Sequence, residues 1–233
     1  MSISIFKNYN LKMFKGFKQN RLIFFFLSMG AFFNGCEGQI QQCQKKMTSD
    51  SVNKEVPVSK SGKPYSYYQN KSKVESALGL KTLENGFDSL QIRIWYSYAF
   101  SDSFQLVIIK RTENEWMCNL LSGKYNFETE SNQIKSIEKT IHSKTPISGW
   151  NNFVVKLIKL NITTLPDENR ISNYPEFADG DNIVVEISTK NNYRIYSYTE
   201  PEKTQNEIQE AKNLEAILFL IEREFDFKPL RGI

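Results

Sequence analysis

The residues whose types best suit chemistry are the acids of one segment, "LPDENRISNYPEFADGD", residues 165–181. Two carboxylates at a suitable separation can serve as the acid and the base or nucleophile of glycoside hydrolysis. Nearby guanidinium groups would help them bind a glycan or a peptide. We therefore consider a hydrolase whose cleft contains six candidate residues: Asp167, Arg170, Glu176, Asp179, Asp181 and Arg194.

Metal and cofactor chemistry has little support in this sequence. Asp179 and Asp181 flank Gly180 and could supply oxygen ligands to a hard cation such as Ca²⁺. The pattern is not an EF-hand loop, however, and it equally suits a turn that leads into a strand. No Gly-rich phosphate loop occurs. We expect no cofactor and no metal, with Asp179 and Asp181 as weak candidates only.

The single histidine, His142, limits the possible hydrolases. A Ser-His-Asp or Cys-His enzyme would need it as the base that activates the nucleophile. No G-x-S-x-G motif accompanies it. We interpret His142 as an exposed or edge-strand residue, and the sequence favours a protein that is not an enzyme.

A second group of candidates combines aromatic and cationic side chains. Arg93 and Trp95 alternate with Ile92 and Ile94, so they could share one face of a sheet. Such a face could recognise glycan, peptide or protein, because Tyr, Trp and Arg dominate binding hot spots. Further candidates are Arg194, Tyr196 and Tyr198. The alternative is that the aromatic residues simply cover the less buried face of a half-solvated sheet.

A sheet must position these residues, and alternating apolar side chains predict its strands. The first three are "GFDSLQIRIWYSYAF", "FQLVIIKR" and "WMCNLLSGKYNF", with a bulge or bend at Gly123. Residues 133–143, "QIKSIEKTIHS", have isoleucines at helical spacing, but the preceding strands favour a fourth strand. "NIVVEISTK" and "YRIYSYTEP" predict a hairpin with a type I′ turn at Asn191 and Asn192.

Two amphipathic helices are predicted to cover this sheet. The first follows Ser148 as its N-cap and carries an apolar stripe: Trp150, Phe153, Val154, Leu157 and Ile158. The second follows a capping-box pattern at Thr204 and Glu207 and extends to Phe225. The predicted class is α+β, with an antiparallel sheet of about a four-strand meander plus a C-terminal hairpin, and two helices packed on one face.

The first 35 residues differ from the rest in charge and hydropathy. They contain five of the 30 bases and no acid, which leaves 25 bases against 26 acids in the remainder. The remainder therefore offers no electrostatic basis for nucleic-acid binding. The apolar run from Leu22 to Gly35 is shorter than a spanning helix of roughly 20 residues and follows a basic region, as in a signal peptide. A retained span and a core helix are the alternatives, and either Met1 or Met13 could be the start.

The end of this run, "FFNGC", resembles the lipobox of bacterial lipoproteins, in which Gly or Ala precedes a lipidated Cys. Phe33 and Asn34 depart from the usual residues, and such loose lipoboxes resemble those of Bacteroidota. The resemblance implies that lipidated Cys36 anchors the protein to the membrane through several acyl chains. The sequence after Cys36 lacks the acidic cluster that resembles a surface-export signal, so we expect the outer membrane, facing the periplasm.

Three regions are therefore predicted: a lipoprotein signal peptide at 1–35, a polar flexible tether at 36–64 and a single α+β domain at 65–233. The tether is rich in Gln, Lys and Ser and has too little apolar surface to fold by itself. Cys43 and Cys118 could form a disulfide, but a buried free Cys118 is the commoner outcome.

Several phrases together are similar to a group of uncharacterised predicted lipoproteins of Bacteroidota, over about residues 86–228. They include "GFDSLQIRIWYSYAF", "SGWNNFVVKLIKL", "YPEFADGD" and "EAKNLEAILFLIEREFDF". The resemblance implies an envelope location and carries no catalytic residues. We expect a lipid-anchored envelope protein with a binding domain, whose partner is an unknown envelope protein or glycan. The alternatives are a periplasmic hydrolase that uses the acidic loop, and an inhibitor or immunity-type protein.

Overall fold

A computed structural model describes residues 51–58, 63–99, 101–113, 115–128 and 134–230. The predicted signal peptide, the lipidation site Cys36 and Cys43 lie outside these residues. In the described part of the chain, seven strands form one mixed sheet in the order β1-β7-β6-β2-β3-β4-β5. They are β1 (Asn53–Glu55), β2 (Leu90–Ser97), β3 (Ser103–Arg111), β4 (Trp116–Phe127), β5 (Ile134–Lys144), β6 (Asn182–Thr189) and β7 (Asn192–Thr199).

The α+β class is confirmed, and the expectation of a purely antiparallel sheet is wrong. Strands β2 to β5 do pair as consecutive antiparallel neighbours, and β6 and β7 form the C-terminal hairpin. The hairpin joins the meander because β6 pairs with β2. The seventh strand, β1, is parallel to β7. The ambiguous isoleucine-rich segment is strand β5, as the preceding meander indicated.

Helices cover both faces of the sheet, where we predicted helices on one face only. The described helices are α1 (Ser66–Leu78), α2 (Trp150–Lys159), α3 (Pro201–Thr204) and α4 (Gln209–Phe225), with a short 3₁₀ helix at Glu168–Arg170. As predicted, α2 and α4 pack on one face, where Phe153 and Leu218 join Ile94 in the main core. The opposite face packs against α1 and the segment after it, through Leu78 and Leu83.

Strand β1 lies within the segment that we expected to be a flexible tether. Its residues pair in register with Asn192, Tyr193 and Arg194 of β7. Val52 and Val56, on either side of the strand, pack against the core on the α1 face. Residues 53–55 are therefore part of the sheet. The polar composition of the segment gave no sign of this strand, because its stability comes from pairing with the distant strand β7.

Both predicted helix caps differ from the structure. Helix α2 begins at Trp150, and its N-cap is Gly149 and not Ser148. The Ser148 amide instead donates to Glu224 Oε2 at 2.7 Å. Thr204 ends α3, and its hydroxyl donates to the carbonyl of Pro201 at 3.2 Å.

Two local backbone predictions also differ. Gly123 lies in regular pairing opposite Phe104, and the irregularity of β4 is at Asn126 and Phe127. The β6–β7 hairpin has no type I′ turn at Asn191 and Asn192. Positive φ at non-glycine positions of the described chain occurs elsewhere, at Asn161, Asn173, Glu200 and Asp226.

Candidate functional site

Arg93 and Trp95 lie in a buried polar cluster, so the prediction that they form an open binding face is wrong. Their exposed fractions are 2% and 8%. Arg93 donates to Glu75 Oε1 of α1 at 2.5 Å and to the carbonyl of Lys81 at 2.7 Å. Trp95 Nε1 donates to Glu186 Oε2 at 2.7 Å. The two bonds of Arg93 hold α1 and the chain after it over the face that we expected to be half-solvated.

Lys71 is the centre of this cluster. Its Nζ lies 3.0 Å from Glu186 Oε1, 3.2 Å from Glu75 Oε2 and 3.5 Å from Glu84 Oε1. Tyr193 also donates to Glu186 Oε1, at 2.9 Å. We name Lys71, Glu75, Arg93 and Glu186 the buried ion cluster; it contains two cations and two carboxylates.

The surroundings change the pKa of two members of the buried ion cluster. Burial disfavours the ammonium of Lys71, but the carboxylates of Glu186 and Glu75 outweigh it and raise the pKa of Lys71. Burial and the neighbouring Glu186 raise the pKa of Glu75, although Lys71 and Arg93 oppose this. The side chains are bonded to one another and closed to solvent, so the cluster fixes the position of α1.

The acids of the segment 165–181 do not converge on one cleft. Asp167 is buried, and its Oδ2 accepts the amide of Ser197 at 2.9 Å. Asp181 Oδ1 accepts the amide of Ala99 at 2.8 Å. Glu176 and Asp179 are exposed. The described residues contain no group of three His, Cys, Asp or Glu side chains that could hold a metal ion.

The two arginines of the predicted cleft bind β1 and nearby backbone. Arg170 Nη1 and Arg194 Nε lie 2.6 and 3.0 Å from the two carboxylate oxygens of Glu55. Arg194 also donates to the carbonyl groups of Thr163, at 2.6 Å, and of Leu165. These contacts connect the loop before β6 to β1 and to β7.

Glu168, which the sequence reasoning did not select, has the most perturbed carboxyl group of this loop. Its oxygens accept the amide of Thr199 at 2.5 Å and the hydroxyl of Thr199 at 3.2 Å. Burial, with a smaller effect of Asp167, raises the pKa of Glu168 to about 7 against these hydrogen bonds. Such a pKa would suit acid–base catalysis, but both oxygens are already bonded to Thr199. We assign Glu168 to the support of β7.

Tyr196 and Tyr198 belong to the main core and are not part of a binding face. Both side chains are fully buried on the side of α2 and α4. Their hydroxyl groups donate to the carbonyls of Ile162 and Pro166, each at 2.8 Å. These bonds hold the loop that follows α2 against the sheet.

The surface that stands out instead is the outer edge of β5. In the described residues β5 ends the sheet, and it is 11 residues long, about 35 Å at the usual rise of a strand. Most of its side chains are exposed, including His142, as we expected. A long edge presents unpaired backbone N–H and C=O groups to another chain.

The apolar side chains next to this edge lie on the α1 side of the sheet. Ile137 is opposite Tyr125 and Ile141 is opposite Leu121, a residue of the core on that side. Ile141 is 53% exposed and Phe127 is 40% exposed. Lys139 lies between the two isoleucines, and its Nζ donates to the carbonyl of Leu78 at the end of α1 at 2.6 Å. The apolar surface of the sheet thus continues to its open edge.

None of the described helices is long and apolar enough to cross a bilayer. Comparison with known proteins assigns no family. No family model, curated protein or solved structure matches the chain. The β5 edge is therefore a candidate on its geometry. The only sequence signal for β5 was the meander that precedes it, because the isoleucines of "IKSIEKTI" have helical spacing. Its position at the edge depends on the strand order.

Proposed function

We propose that the protein is a lipid-anchored envelope protein whose folded domain binds an extended segment of another protein through β5. The observation that carries this proposal is the open 11-residue edge of β5, bordered by exposed Ile141. An added strand gains affinity from main-chain hydrogen bonds and specificity from its alternate side chains. Backbone pairing favours a peptide over a glycan as the partner.

The side chains around this edge define the chemistry of the partner. Alternate apolar residues of an added strand would cover Ile137 and Ile141 and continue the apolar face of β4. Strand β5 carries three lysines and one glutamate, Lys135, Lys139, Lys144 and Glu138. We therefore expect a segment that alternates apolar with neutral or acidic residues.

The hydrolase alternative loses support, because its residues have separate structural contacts. Asp167, Arg170 and Arg194 bind strands β1 and β7, whereas Asp181 binds the amide of Ala99. An inhibitor or immunity-type protein that blocks its partner could use the same edge. We treat it as one form of the proposed binding function.

Site-directed photocrosslinking in the envelope of producing cells tests the binding function. A photoreactive amino acid replaces exposed Thr140 of β5 or, as a control, exposed Lys190 of the β6–β7 turn. We expect one discrete protein adduct from position 140 and none from 190. Ile141→Lys should abolish the adduct, whereas Ile147→Lys, at another exposed isoleucine, should leave it. An adduct that survives Ile141→Lys would argue against strand addition.

The anchor is a separate part of the proposal and has its own test. Wild-type protein should incorporate labelled palmitate and sediment with membranes, and Cys36→Ala should lose the label. Cys43→Ala provides the matched control, because it removes the next cysteine in the sequence. A wild-type chain without label would contradict the lipid anchor and leave the β5 proposal intact.

A further inference from the structure

A groove between α2 and α4 combines an apolar floor with positive charge. Its volume is about 340 Å³, at the lower end of the range for small-molecule sites. The floor consists of Leu160, Ala216, Phe219 and Leu220. The Phe219 side chain is 58% exposed, although most apolar residues of α4 are buried. This groove lies on the face of the sheet opposite α1.

The cations at the groove differ in how they are neutralised. Lys156 Nζ lies 3.0 Å from Glu224 Oε1, and Glu224 Oε2 accepts the amide of Ser148 at 2.7 Å. Lys159 and Arg223 also line the groove, and neither has a carboxylate within ion-pair distance among the described residues. The Arg223 guanidinium lies over the ring of Phe219, 5.5 Å from its centroid. Two cations without a paired acid therefore adjoin the apolar floor.

We propose that this groove binds a single-chain amphiphilic anion, a free fatty acid. The carboxylate would form charge-assisted hydrogen bonds with Lys159 and Arg223. The hydrocarbon chain would cover Leu160, Leu220 and Phe219 and remove apolar surface from water. The small volume favours one chain over the two chains of a phospholipid. This site is separate from the β5 edge and does not depend on the proposed partner or anchor.

Photolabelling of the full-length protein, mixed with zwitterionic lipid discs so that it is tested whether or not it is anchored, tests this site. The probe is a medium-chain fatty acid that carries a diazirine. We expect saturable labelling of peptides from 156–160 and 216–223, displaced by decanoate but not by decyltrimethylammonium. Lys159→Glu and Arg223→Glu should each reduce the labelling at least about fivefold, because a repelling charge replaces a pairing one. Lys190→Glu, a matched reversal at an exposed turn, should leave it unchanged.

Three results would overturn the proposal. The first is labelling that does not saturate or spreads over the chain. The second is equal labelling of wild type and both charge-reversal variants, when thermal unfolding shows that all are folded. The third is labelling by a diazirine phosphatidylglycerol with none by the fatty acid. Phe219→Ser tests the floor without changing charge, and unchanged labelling of this variant would also contradict the site.

Discussion

At the scale of single residues, several carboxylates of this protein accept hydrogen bonds from backbone amides. Asp167 and Glu168 accept amides of β7, Asp181 accepts that of Ala99, and Glu224 accepts that of Ser148. A buried amide without a partner costs about 1–3 kcal/mol, so these acids stabilise strand ends and a helix start. The same residue types would suit catalysis, and only their partners distinguish the two roles.

Glu168 should make the stability of the protein depend on pH near neutrality. Its pKa is about 7 in the folded protein against an ordinary 4.5, so the folded state binds more protons between these values. The stabilisation is complete below pH 4.5 and is lost as the pH rises through about 7. We expect the free energy of unfolding to fall by on the order of 1–3 kcal/mol from pH 5 to pH 8 through this group.

Urea unfolding of Glu168→Gln at pH 5, 6.5 and 8 measures this contribution. Glutamine keeps an acceptor oxygen for the Thr199 amide and does not titrate, so the variant should lack this fall in stability. The control is Glu176→Gln, the same change at an exposed position. Parallel pH profiles of wild type and Glu168→Gln would show that Glu168 does not titrate in this range.

Lys71 should be essential to the buried ion cluster. Its replacement by methionine keeps most of the apolar stem but leaves Glu75 and Glu186 near one another with one cation fewer. Loss of one partner from a buried ion pair typically costs about 3–5 kcal/mol. We expect Lys71→Met to lower the free energy of urea unfolding by that amount. Lys73→Met, at an exposed position on the same helix, should change the free energy of unfolding little. If Lys71→Met lowered it no more than Lys73→Met, the cluster would contribute no stability.

At the scale of elements, the close packing of β3 on β4 leaves no space for a side chain at position 123. A Cβ atom there would lie 2.5 Å from the ring of Phe104 and 2.9 Å from the carbonyl oxygen of Glu138. Phe104 has little freedom to move, because it is buried and stacks on Tyr125 at 4.5 Å between centroids. Gly123 therefore provides the space for the Phe104 ring, and it does not bend the strand as we predicted.

Gly123→Ala should destabilise the protein by about 1–3 kcal/mol, the usual cost of overpacking. Thermal or urea unfolding measures this cost. A double-mutant cycle with Phe104→Leu identifies its cause, since a smaller side chain at position 104 should relieve the clash and make the two changes less than additive. Strict additivity would show that the cost arises elsewhere.

Local pattern was sufficient to predict the elements that bury a regular apolar stripe. Strands β2, β3, β4, β6 and β7 alternate, and α2 and α4 have helical periodicity, so their types followed from the sequence. Strand β5 has isoleucines at helical spacing, and only the preceding meander indicated its type. Strand β1 consists of three polar residues, so no apolar pattern in the sequence indicates it. It is a strand because it pairs with β7. Helix α1 has no strong apolar stripe in the sequence, and its ionic contacts involve Arg93 and Glu186, which are distant in sequence.

The candidate site was less predictable, because residue type does not reveal what covers a residue. Arg93 and Trp95 were correctly placed on the face opposite Ile92 and Ile94, and the error was to leave that face open. Its cover, α1, lies in a part of the sequence with no strong apolar stripe. The importance of β5 likewise depends on which strands are neighbours, and that order is a property of long-range pairing.

At the scale of the whole molecule, the two edges of the sheet differ in how far other parts of the chain cover them. The β7 edge is covered by β1 at Asn192–Arg194, and by Asp167 and Glu168 at Ser197 and Thr199. The β5 edge has no such cover in the described residues. Open edges promote association, so protection of one edge directs association to the other. This asymmetry supports the proposed use of β5.

A chain that begins at residue 65, the boundary predicted from the sequence, should therefore be defective. Compared with a chain that begins at 51, it lacks β1 and the apolar contacts of Val52 and Val56. Loss of partly buried valines and edge hydrogen bonds should lower the free energy of unfolding by about 2–4 kcal/mol. The shorter chain should also self-associate in sedimentation velocity, because the β7 edge is exposed.

Glu55→Gln in the longer chain is the control. It keeps the strand and alters only half-exposed ion pairs, so it should lower the free energy of unfolding by at most about 1 kcal/mol. If the two chains unfold at the same urea concentration and both remain monomeric, β1 neither stabilises the sheet nor protects its edge.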